Sequence, residues 1–205
     1  MPGSAHHWDT IFAVKADHNL GWYEADVGQT TRFLDYIPDI ASKTIFLPGA
    51  GTSLLVDELL VRGAHLILND ISGAALAKLR LRLGEAERRV RWSHHDISQP
   101  LPAGTPQVDV WLDRAVLHFL LTEPEIDQYF QNLQATLKPG GYALLAEFSS
   151  TGAAMCAGLE VHRYSVSEMT KRLGERFDLV HSEDYTFVNP ASAPRPYVYA
   201  LFHRH

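Results

Sequence analysis

Short apolar runs alternate with amphipathic stretches over most of this chain. Runs typical of buried strands occur at 44–47, 65–70, 90–94, 108–112, 142–148, 177–186 and 196–203. Stretches with apolar residues at helical spacing separate most of them, at 52–62, 72–84, 114–121, 123–137 and 166–175. Strands that alternate with helices indicate βαβ units and a parallel sheet. We therefore predict an α/β fold with a doubly wound, mostly parallel, seven-stranded sheet.

The two ends of the chain depart from this alternation. The N-terminal part shows helical spacing at 8–14 and 27–37, and Pro38 ends the second stretch. The last two predicted strands have no helix between them and are joined by the Pro-rich stretch 189–196, so we predict an antiparallel C-terminal hairpin. Segment 76–83 alternates like a strand, but its strong helix formers and its position between two strands favour a helix.

A glycine turn follows the first predicted strand, and an acid ends the second. Gly49, Ala50 and Gly51 come directly after the apolar run, and Asp70 lies about 20 residues further on. A carboxylate at this spacing can reach a ribose that lies across neighbouring strand ends. The sequence therefore predicts a nucleoside-containing cofactor, although a tight strand–helix turn without a ligand would have the same pattern.

Two common nucleotide sites do not match this turn. Leu54 occupies the position of the third glycine of a dinucleotide fingerprint, which disfavours NAD and FAD. The turn also has no phosphate-binding lysine, which disfavours a nucleoside triphosphate. Acids also follow the third and fourth predicted strands, as Asp96 and Asp113. Because ligands of open α/β sheets bind outside the carboxyl ends of the strands, these acids and Asp70 are expected to gather at one site.

Composition narrows the class of protein. The 205 residues are 46% hydrophobic and 20% charged, as expected of a globular domain. A net charge of −6 argues against a nucleic-acid surface, and no apolar run is long enough to span a membrane. The single cysteine, Cys156, excludes an internal disulfide. The eleven histidines are scattered without ligand spacing, so we expect no metal site. The single cysteine fits a reducing compartment, and together with the lack of a long apolar run it leads us to expect a cytoplasmic protein.

In chain order, the motifs LPGAGTS, NDIS, HHDIS, VDVWLDRAVLHFL and LKPGGYALLAEFS resemble those of class I S-adenosylmethionine-dependent methyltransferases. The resemblance covers about 40–200 and implies a Rossmann-like methyltransferase fold. It implies S-adenosylmethionine as cofactor and S-adenosylhomocysteine as product. By this resemblance 1–205 is one domain, with an N-terminal helical lid at 1–42, a cofactor-binding core at 43–150, and a substrate loop and C-terminal strands at 151–205.

The resemblance also implies roles for individual residues. The glycine turn would let the backbone approach the methionine part of the cofactor, and Asp70 would hold the ribose hydroxyls. Asp96 would accept a hydrogen bond from the adenine amino group, and Asp113 and Arg114 would line the floor beneath the sulfonium. The complete set of implied cofactor-binding residues is Trp22, Gly49, Ala50, Gly51, Asp70, Ile71, Asp96, Ile97, Asp113 and Arg114.

The chemistry leaves the need for a general base open. Methyl transfer from a sulfonium is an in-line displacement in which the protein mainly positions the reactants. A thiolate or another soft nucleophile needs only a suitable pocket, whereas an amine or hydroxyl must also lose a proton. Asp113, His118 and Glu147 are the candidate bases, and Tyr23 could orient the nucleophile. The candidate substrate residues are Tyr23, Cys156, His162, Arg163 and Tyr164, of which Arg163 could hold a carboxylate.

Two further resemblances concern specificity. The Phe-Leu-Pro run before the glycine turn is similar to the thiopurine (thiol) methyltransferase branch, which also lacks an acid at the position of Leu47. The pattern of Trp8, Phe12 and Trp22-Tyr23 resembles the leading helices of small methyltransferases, including enzymes for small molecules and for protein lysines. By this resemblance the segment folds over the cofactor as a lid.

Three functions remain open from the sequence. The first is methylation of a small molecule, with a thiol or other soft nucleophile favoured. The second is a protein-lysine methyltransferase, which should have an open acidic groove near Trp22 and Tyr23. The third is a nonenzymatic module that binds the cofactor. We expect a small-molecule partner, no nucleic acid and no membrane, and either a monomer or a homodimer.

Overall fold

One seven-stranded sheet organises the computed structural model, which describes residues 4–205. The strands along the chain are β1 (Thr44–Leu47), β2 (His65–Asp70), β3 (Val90–His94), β4 (Val108–Arg114), β5 (Leu137–Phe148), β8 (Phe177–Val188) and β9 (Pro194–Arg204), with a separate two-stranded ribbon of β6 (Met155–Cys156) and β7 (Leu159–Glu160). The order in the sheet is β3-β2-β1-β4-β5-β9-β8. Strands β1 to β5 are parallel, and β9 is antiparallel to both of its neighbours. The predicted fold class and its C-terminal hairpin are confirmed.

The helices along the chain are α1 (Ala5–Val14), α2 (Gly28–Leu34), α3 (Leu55–Val61), α4 (Gly73–Leu83), α5 (Glu123–Thr136) and α6 (Val166–Leu173). Helices α3, α4 and α5 connect parallel strands, whereas α1 and α2 precede β1, α6 precedes β8, and residues 95–107 between β3 and β4 contain no helix. The ambiguous segment 76–83 lies within α4, as its helix formers predict. Residues 1–3 of the predicted lid lie outside the described part of the chain. Within residues 4–205, no helix is both long and apolar enough to cross a membrane.

The helix predicted at 114–121 is wrong. Strand β4 continues to Arg114, and only a single 3₁₀ turn follows at Leu117–Phe119. Ala115 has a φ of +69°, which breaks a right-handed helix at its start. The carboxylate of Asp113 accepts hydrogen bonds from the next backbone N–H groups, so these donors do not need a helix to be satisfied.

Two other segments differ from the prediction. Strand β5 starts at Leu137, five residues earlier than its apolar run suggests, because Leu137 pairs with Val108 before an irregularity in the ladder. The ribbon of β6 and β7 was not predicted, since a two-residue strand has no detectable period.

Apolar layers cover both faces of the sheet. On one face Ile45 and Leu47 pack with Leu59 of α3, and on the other Phe46 stacks on Trp111 at 4.6 Å between ring centroids. Trp111 donates a hydrogen bond to the hydroxyl of Tyr129 in α5. Burial on both faces is the arrangement expected of a parallel sheet, and it leaves the strand ends as the place for a ligand.

Candidate active site

A cavity of about 210 Å³ lies at the carboxyl ends of the parallel strands. The lining combines the turn after β1, the ends of β2 and β4, the segment after β3 and the N-terminal segment. Residues from predicted motifs that line it are Trp8, Phe12, Trp22, Tyr23, Leu47, Gly49, Ala50, Gly51, Asp70, Ile71, Asp96, Ile97, Arg114 and Cys156. This position is the one where open α/β sheets bind ligands.

The glycine turn after β1 forms one wall of the cavity. A methyl group added at Gly49 would collide with Cγ2 of Val116. Gly51 has a φ of +51°, and the ring of Phe12 lies 3.4 Å from the position of an added Cβ. Both positions therefore need glycine, one for space and one for its backbone conformation.

The carboxylate of Asp70 connects the glycine turn to the next helix. Its Oδ2 accepts the Gly51 N–H at 2.7 Å, and its Oδ1 accepts the Ser72 N–H at 2.8 Å. Each oxygen has further lone pairs that can accept a ligand hydroxyl. Burial raises the pKa of Asp70 to about 6, while the two backbone donors oppose that rise.

A second acid follows β3 in the same wall. Oδ1 of Asp96 accepts the backbone N–H and the hydroxyl of Ser98, and no hydrogen bond within residues 4–205 engages Oδ2. Ile71 and Ile97 line the cavity near the two acids. The structure therefore brings the predicted glycines, Asp70, Asp96 and both isoleucines together.

Asn69 was not predicted, although it joins two of these segments. Its buried amide donates to the carbonyl of Pro48 at 2.8 Å and to the carbonyl of His95 at 3.0 Å. Its backbone carbonyl accepts the Ala50 N–H. An asparagine before the strand-end acid, in an otherwise apolar strand, is the signal that could have identified it.

Aromatic side chains cover the cavity from the N-terminal segment. Trp8 contacts Trp22 and Phe119 edge to face, with ring centroids 5.6 and 4.8 Å apart. Phe12 contacts Trp22 at 6.0 Å and is buried. These contacts are favourable arrangements for aromatic rings, and they place the predicted lid over the glycine turn.

Asp9 of α1 accepts hydrogen bonds from residues at the start of α4. Its Oδ1 accepts the Ser72 hydroxyl at 2.7 Å and the Ala74 N–H at 3.0 Å. These hydrogen bonds, led by the one from Ala74, lower the pKa of Asp9. The carboxylate also sits at the positive end of the α4 dipole.

Arg114 is the charged group of the cavity floor. Its Nε lies 2.7 Å from Oε2 of Glu24, and the two side chains are 9% and 5% exposed. Its Nη1 donates to the carbonyl of Trp22 at 3.2 Å, whereas Nη2 has no hydrogen-bond partner within residues 4–205. Burial disfavours the charged guanidinium, but the nearby Tyr199, Tyr197 and Glu24 raise its pKa overall, so it stays charged.

Glu24 is the partner that the sequence did not predict. It lies in an irregular segment, 90 positions before Arg114, where no period or motif announces a contact. Burial raises the pKa of Glu24, while the charge and hydrogen bond of Arg114 oppose the rise. The result is a buried ion pair at the edge of the cavity.

Three predicted bases do not line the cavity. Asp113 is fully buried and accepts hydrogen bonds from the N–H groups of Val116 and Leu117 and from the Tyr129 hydroxyl. His118 and Glu147 are also fully buried, with Nδ1 and Oε2 2.6 Å apart. The three side chains therefore support the turn beneath the cavity and do not form its wall.

Burial also sets the protonation of this supporting cluster. It raises the pKa of Glu147 to about 8 and lowers the pKa of His118 to about 3. It also raises the pKa of Asp113 well above its usual range, and the nearby Glu147 adds to this rise. At neutral pH His118 is thus neutral and Glu147 holds a proton.

Replacing Glu147 tests that protonation. The unfolded side chain ionises near 4.5 and the folded one near 8, so the folded chain retains a proton that the unfolded chain loses as pH rises. Stability from this group is complete below about 4.5 and is lost as pH rises to about 8. We expect Glu147→Gln, which cannot ionise, to fold and to lose less stability across this window in urea unfolding. Exposed Glu160→Gln is the control, and parallel pH profiles for Glu147→Gln and the parent would contradict the assignment.

Only some of the candidate substrate residues line the cavity. Tyr23 and Cys156 line the cavity, and burial raises the pKa of the Cys156 thiol. Arg163 is exposed, and Tyr164 is fully buried with its hydroxyl unpaired within residues 4–205. His162 bonds instead to Glu168 of α6 at 2.9 Å. In the same described range, no group of three acidic, histidine or cysteine side chains could hold a metal ion.

Comparison with known proteins gives the site its context. Residues 48–143 match the family of the methyltransferase domain. A search of curated protein sequences found no match. One similar solved structure is described by the conversion of a disulfide bond into a thioacetal group during echinomycin biosynthesis. It has a TM-score of 0.75 at 15% identity, and the match covers 98% of this chain and 92% of that one.

Two further solved structures are named as N-methyltransferases with bound S-adenosylhomocysteine. The 1,6-didemethyltoxoflavin-N1-methyltransferase of Burkholderia thailandensis has a TM-score of 0.62 at 22% identity, over 86% of this chain and 81% of that one. NodS of Bradyrhizobium japonicum has a TM-score of 0.69 at 15% identity, over 97% and 98%. At these identities the likeness establishes the fold. Residues 48–143 therefore match a methyltransferase domain, within a chain that shares the fold of these solved methyltransferases.

Proposed function

We propose that the protein transfers a methyl group from S-adenosylmethionine to a small molecule, with a thiol or another soft nucleophile as the favoured acceptor. The observation that carries the proposal is the cavity at the strand ends, which is lined by the glycine turn, Asp70 and the aromatic side chains of the N-terminal segment. We also propose that 1–205 is a single domain, with a lid at 1–42, a cofactor-binding core at 43–150, and a substrate loop and C-terminal strands at 151–205.

The residues of this cavity fit the proposed cofactor. Gly49 and Gly51 line the cavity without side chains of their own, so a ligand there can approach their backbone. Asp70 keeps lone pairs for ribose hydroxyls, and Oδ2 of Asp96 is free for an adenine amino group. When bound, the cofactor supplies an activated methyl group on a positively charged sulfur.

The chain itself would orient and enclose the reactants. The aromatic rings of Trp8 and Trp22 line the cavity and would shield bound reactants from water, and Tyr23, which also lines it, would orient the acceptor. Arg114 would form the floor between cofactor and acceptor. Asp113, which the resemblance places beneath the sulfonium, is assigned the support of that floor through the N–H groups of Val116 and Leu117.

Two observations support a soft nucleophile. Asp113, His118 and Glu147 are buried behind the cavity, so these groups cannot reach an acceptor to remove its proton. One structural neighbour is described with chemistry at sulfur, and that neighbour has a TM-score of 0.75. The similarity of the Phe-Leu-Pro run to the thiopurine (thiol) methyltransferase branch is part of the same proposal, because it also favours a thiol acceptor.

The aromatic cover favours a small molecule over a protein lysine. A peptide substrate needs an open groove beside Trp22, whereas Trp8 and Phe12 pack against that side chain and Phe119 packs against Trp8. We also propose that the protein has no nucleic-acid partner, is located in the cytoplasm and is a monomer or a homodimer.

An assay with methyl-labelled cofactor tests the function. We expect the purified chain to transfer label to members of a panel of small thiols and selenides, with release of S-adenosylhomocysteine. The parallel reactions contain either small amines or lysine-containing peptides and proteins. Transfer to proteins alone would establish the lysine alternative, and transfer to amines alone would remove the preference for soft nucleophiles.

A further inference from the structure

The glycine turn after β1 has few side chains of its own that could stabilise its conformation. Gly49 and Gly51 cannot pack against a neighbour, and glycine loses more backbone freedom on ordering than any other residue. The carboxylate of Asp70 holds the Gly51 N–H. The next two residues, Thr52 and Ser53, also line the cavity. A ligand of this cavity therefore depends on how the second part of the turn is held.

Arg82 of α4 contacts this second part of the turn. Its Nη1 donates a hydrogen bond to the carbonyl of Thr52 at 2.5 Å, and its Nη2 donates to the carbonyl of Ser53 at 2.7 Å. Nη2 also donates to Oδ2 of Asp57 in α3 at 2.6 Å. Because a guanidinium is planar and its donors are fixed relative to one another, this one side chain joins the turn, α3 and α4 in a defined geometry.

The position of Arg82 keeps it away from the reacting groups. It lies in the last turn of α4, and it is not among the residues that line the cavity. Thr52 and Ser53 do line the cavity, and Thr52 is buried. Arg82 can therefore affect a bound ligand through the two carbonyl groups that it holds, and not by direct contact.

The contact with Thr52 also supports the hydrogen bond that closes the turn. A peptide group is planar, so a carbonyl that is held in place fixes the direction of the N–H on the following residue. The N–H that follows the Thr52 carbonyl belongs to Ser53, and it donates to the carbonyl of Ala50 at 3.2 Å. This bond spans Gly51, the residue with a positive φ. Arg82 thus stabilises the conformation on both sides of the most permissive residue of the turn.

We propose that Arg82 is a positioning residue for the cofactor, which holds the turn after β1 in its binding conformation before the cofactor arrives. This inference rests on the proposed function, because it takes S-adenosylmethionine as the ligand of the turn. A turn that is ordered in advance lowers the ordering cost of binding, and this raises affinity. Loss of Arg82 therefore weakens cofactor binding and leaves the methyl-transfer step itself intact.

Two arginines of the same helix provide a matched test. Arg80 lies two residues before Arg82, and its guanidinium stacks on Trp92 at 4.6 Å instead of contacting the turn. We expect Arg82→Met to bind S-adenosylhomocysteine about tenfold more weakly than the parent in calorimetry, and Arg80→Met to bind it as the parent does. Arg82→Lys can keep one of the two carbonyl contacts, so its affinity should lie between those of Arg82→Met and the parent.

Two further readouts separate positioning from general damage. With an acceptor identified by the methyl-transfer assay, Arg82→Met should raise the KM for S-adenosylmethionine and leave kcat nearly unchanged, because the lost support serves ground state and transition state alike. Without any cofactor, hydrogen exchange of the Gly51 N–H, measured by NMR, should be about tenfold faster in Arg82→Met, because the turn then opens more often. Arg80→Met should exchange at the rate of the parent.

The outcomes distinguish this inference from the proposed function. Failure of the parent to bind S-adenosylhomocysteine would remove the proposed function, whereas faster exchange at Gly51 in Arg82→Met would still show that Arg82 orders the turn. If the parent binds, unchanged affinity in Arg82→Met, an equal loss in Arg80→Met, a fall in kcat at constant KM, or unchanged exchange at Gly51 would each overturn the inference. If Arg82→Met does not fold, Arg82→Lys is compared with Arg80→Lys, and equal affinities in that pair would overturn it.

Discussion

Replacing Asp70 with alanine is expected to weaken S-adenosylhomocysteine binding by about 10- to 100-fold, as measured by calorimetry. The carboxylate holds the Gly51 N–H and the Ser72 N–H while it presents lone pairs to a ribose. Hydrogen bonds to a charged group contribute about 1.5–3 kcal/mol each, and each 1.4 kcal/mol changes a dissociation constant about tenfold. The variant removes the ribose contact and loosens the glycine turn together.

The pH dependence of the same binding gives an independent readout. Burial raises the pKa of Asp70 to about 6, and its protonated form accepts hydrogen bonds more weakly. We therefore expect the parent to lose affinity as pH falls below about 6, and Asp70→Asn to be flatter over that range. Asp178→Asn, at an exposed position on β8, is the matched control. Unchanged affinity in Asp70→Ala would mean that the nucleoside lies elsewhere.

Gly49→Ala should cost both stability and cofactor affinity. An alanine Cβ at this position would collide with Cγ2 of Val116, and one of the two segments must move. Overpacking of this kind costs about 1–3 kcal/mol, and here the displaced backbone also forms the cavity wall. We expect a lower midpoint in urea unfolding and at least about tenfold weaker binding of S-adenosylhomocysteine.

A double variant shows whether the collision is the cause. Val116→Ala removes the colliding methyl group, so Gly49→Ala combined with Val116→Ala should recover part of both losses. The two effects should be non-additive by about 1 kcal/mol or more. Gly21→Ala serves as the control, because an added Cβ there meets no atom within 4 Å. Strict additivity of Gly49→Ala and Val116→Ala would assign the loss to another cause.

The cofactor side of the cavity could be predicted because its residues follow strand ends. Gly49, Asp70 and Asp96 come after β1, β2 and β3, and parallel strands bring their carboxyl ends to one edge. Local apolar runs are enough to locate those ends. The prediction therefore depended on short stretches of sequence and on one rule of topology.

Side-chain direction explains why Asp113 was expected at the cavity and does not line it. Neighbouring residues of a strand point to opposite faces, and Leu112 and Arg114 line the cavity on either side of Asp113. The same alternation, applied to β4, could have separated Arg114 from Asp113. The helix expected at 114–121 obscured it, because in a helix these residues have a different spacing.

The surroundings of Arg114 could not be predicted from patterns. Glu24 lies in an irregular segment, and the aromatic groups behind Arg114 come from β8 and β9, far along the chain. Contacts of this kind depend on tertiary packing and leave no period in the sequence.

The position of β9 between β5 and β8 determines when the surroundings of Arg114 become complete during synthesis of the chain. The strands that carry the glycine turn, Asp70 and Arg114 all leave the ribosome before β9, which supplies Tyr197 and Tyr199 behind the guanidinium. Until then β5 is an open edge, the kind of surface that pairs with other chains. Hairpin β8–β9 must therefore close that edge and complete the wall behind Arg114 in the same step, so a nascent chain halted before β9 would lack that wall and be prone to aggregation.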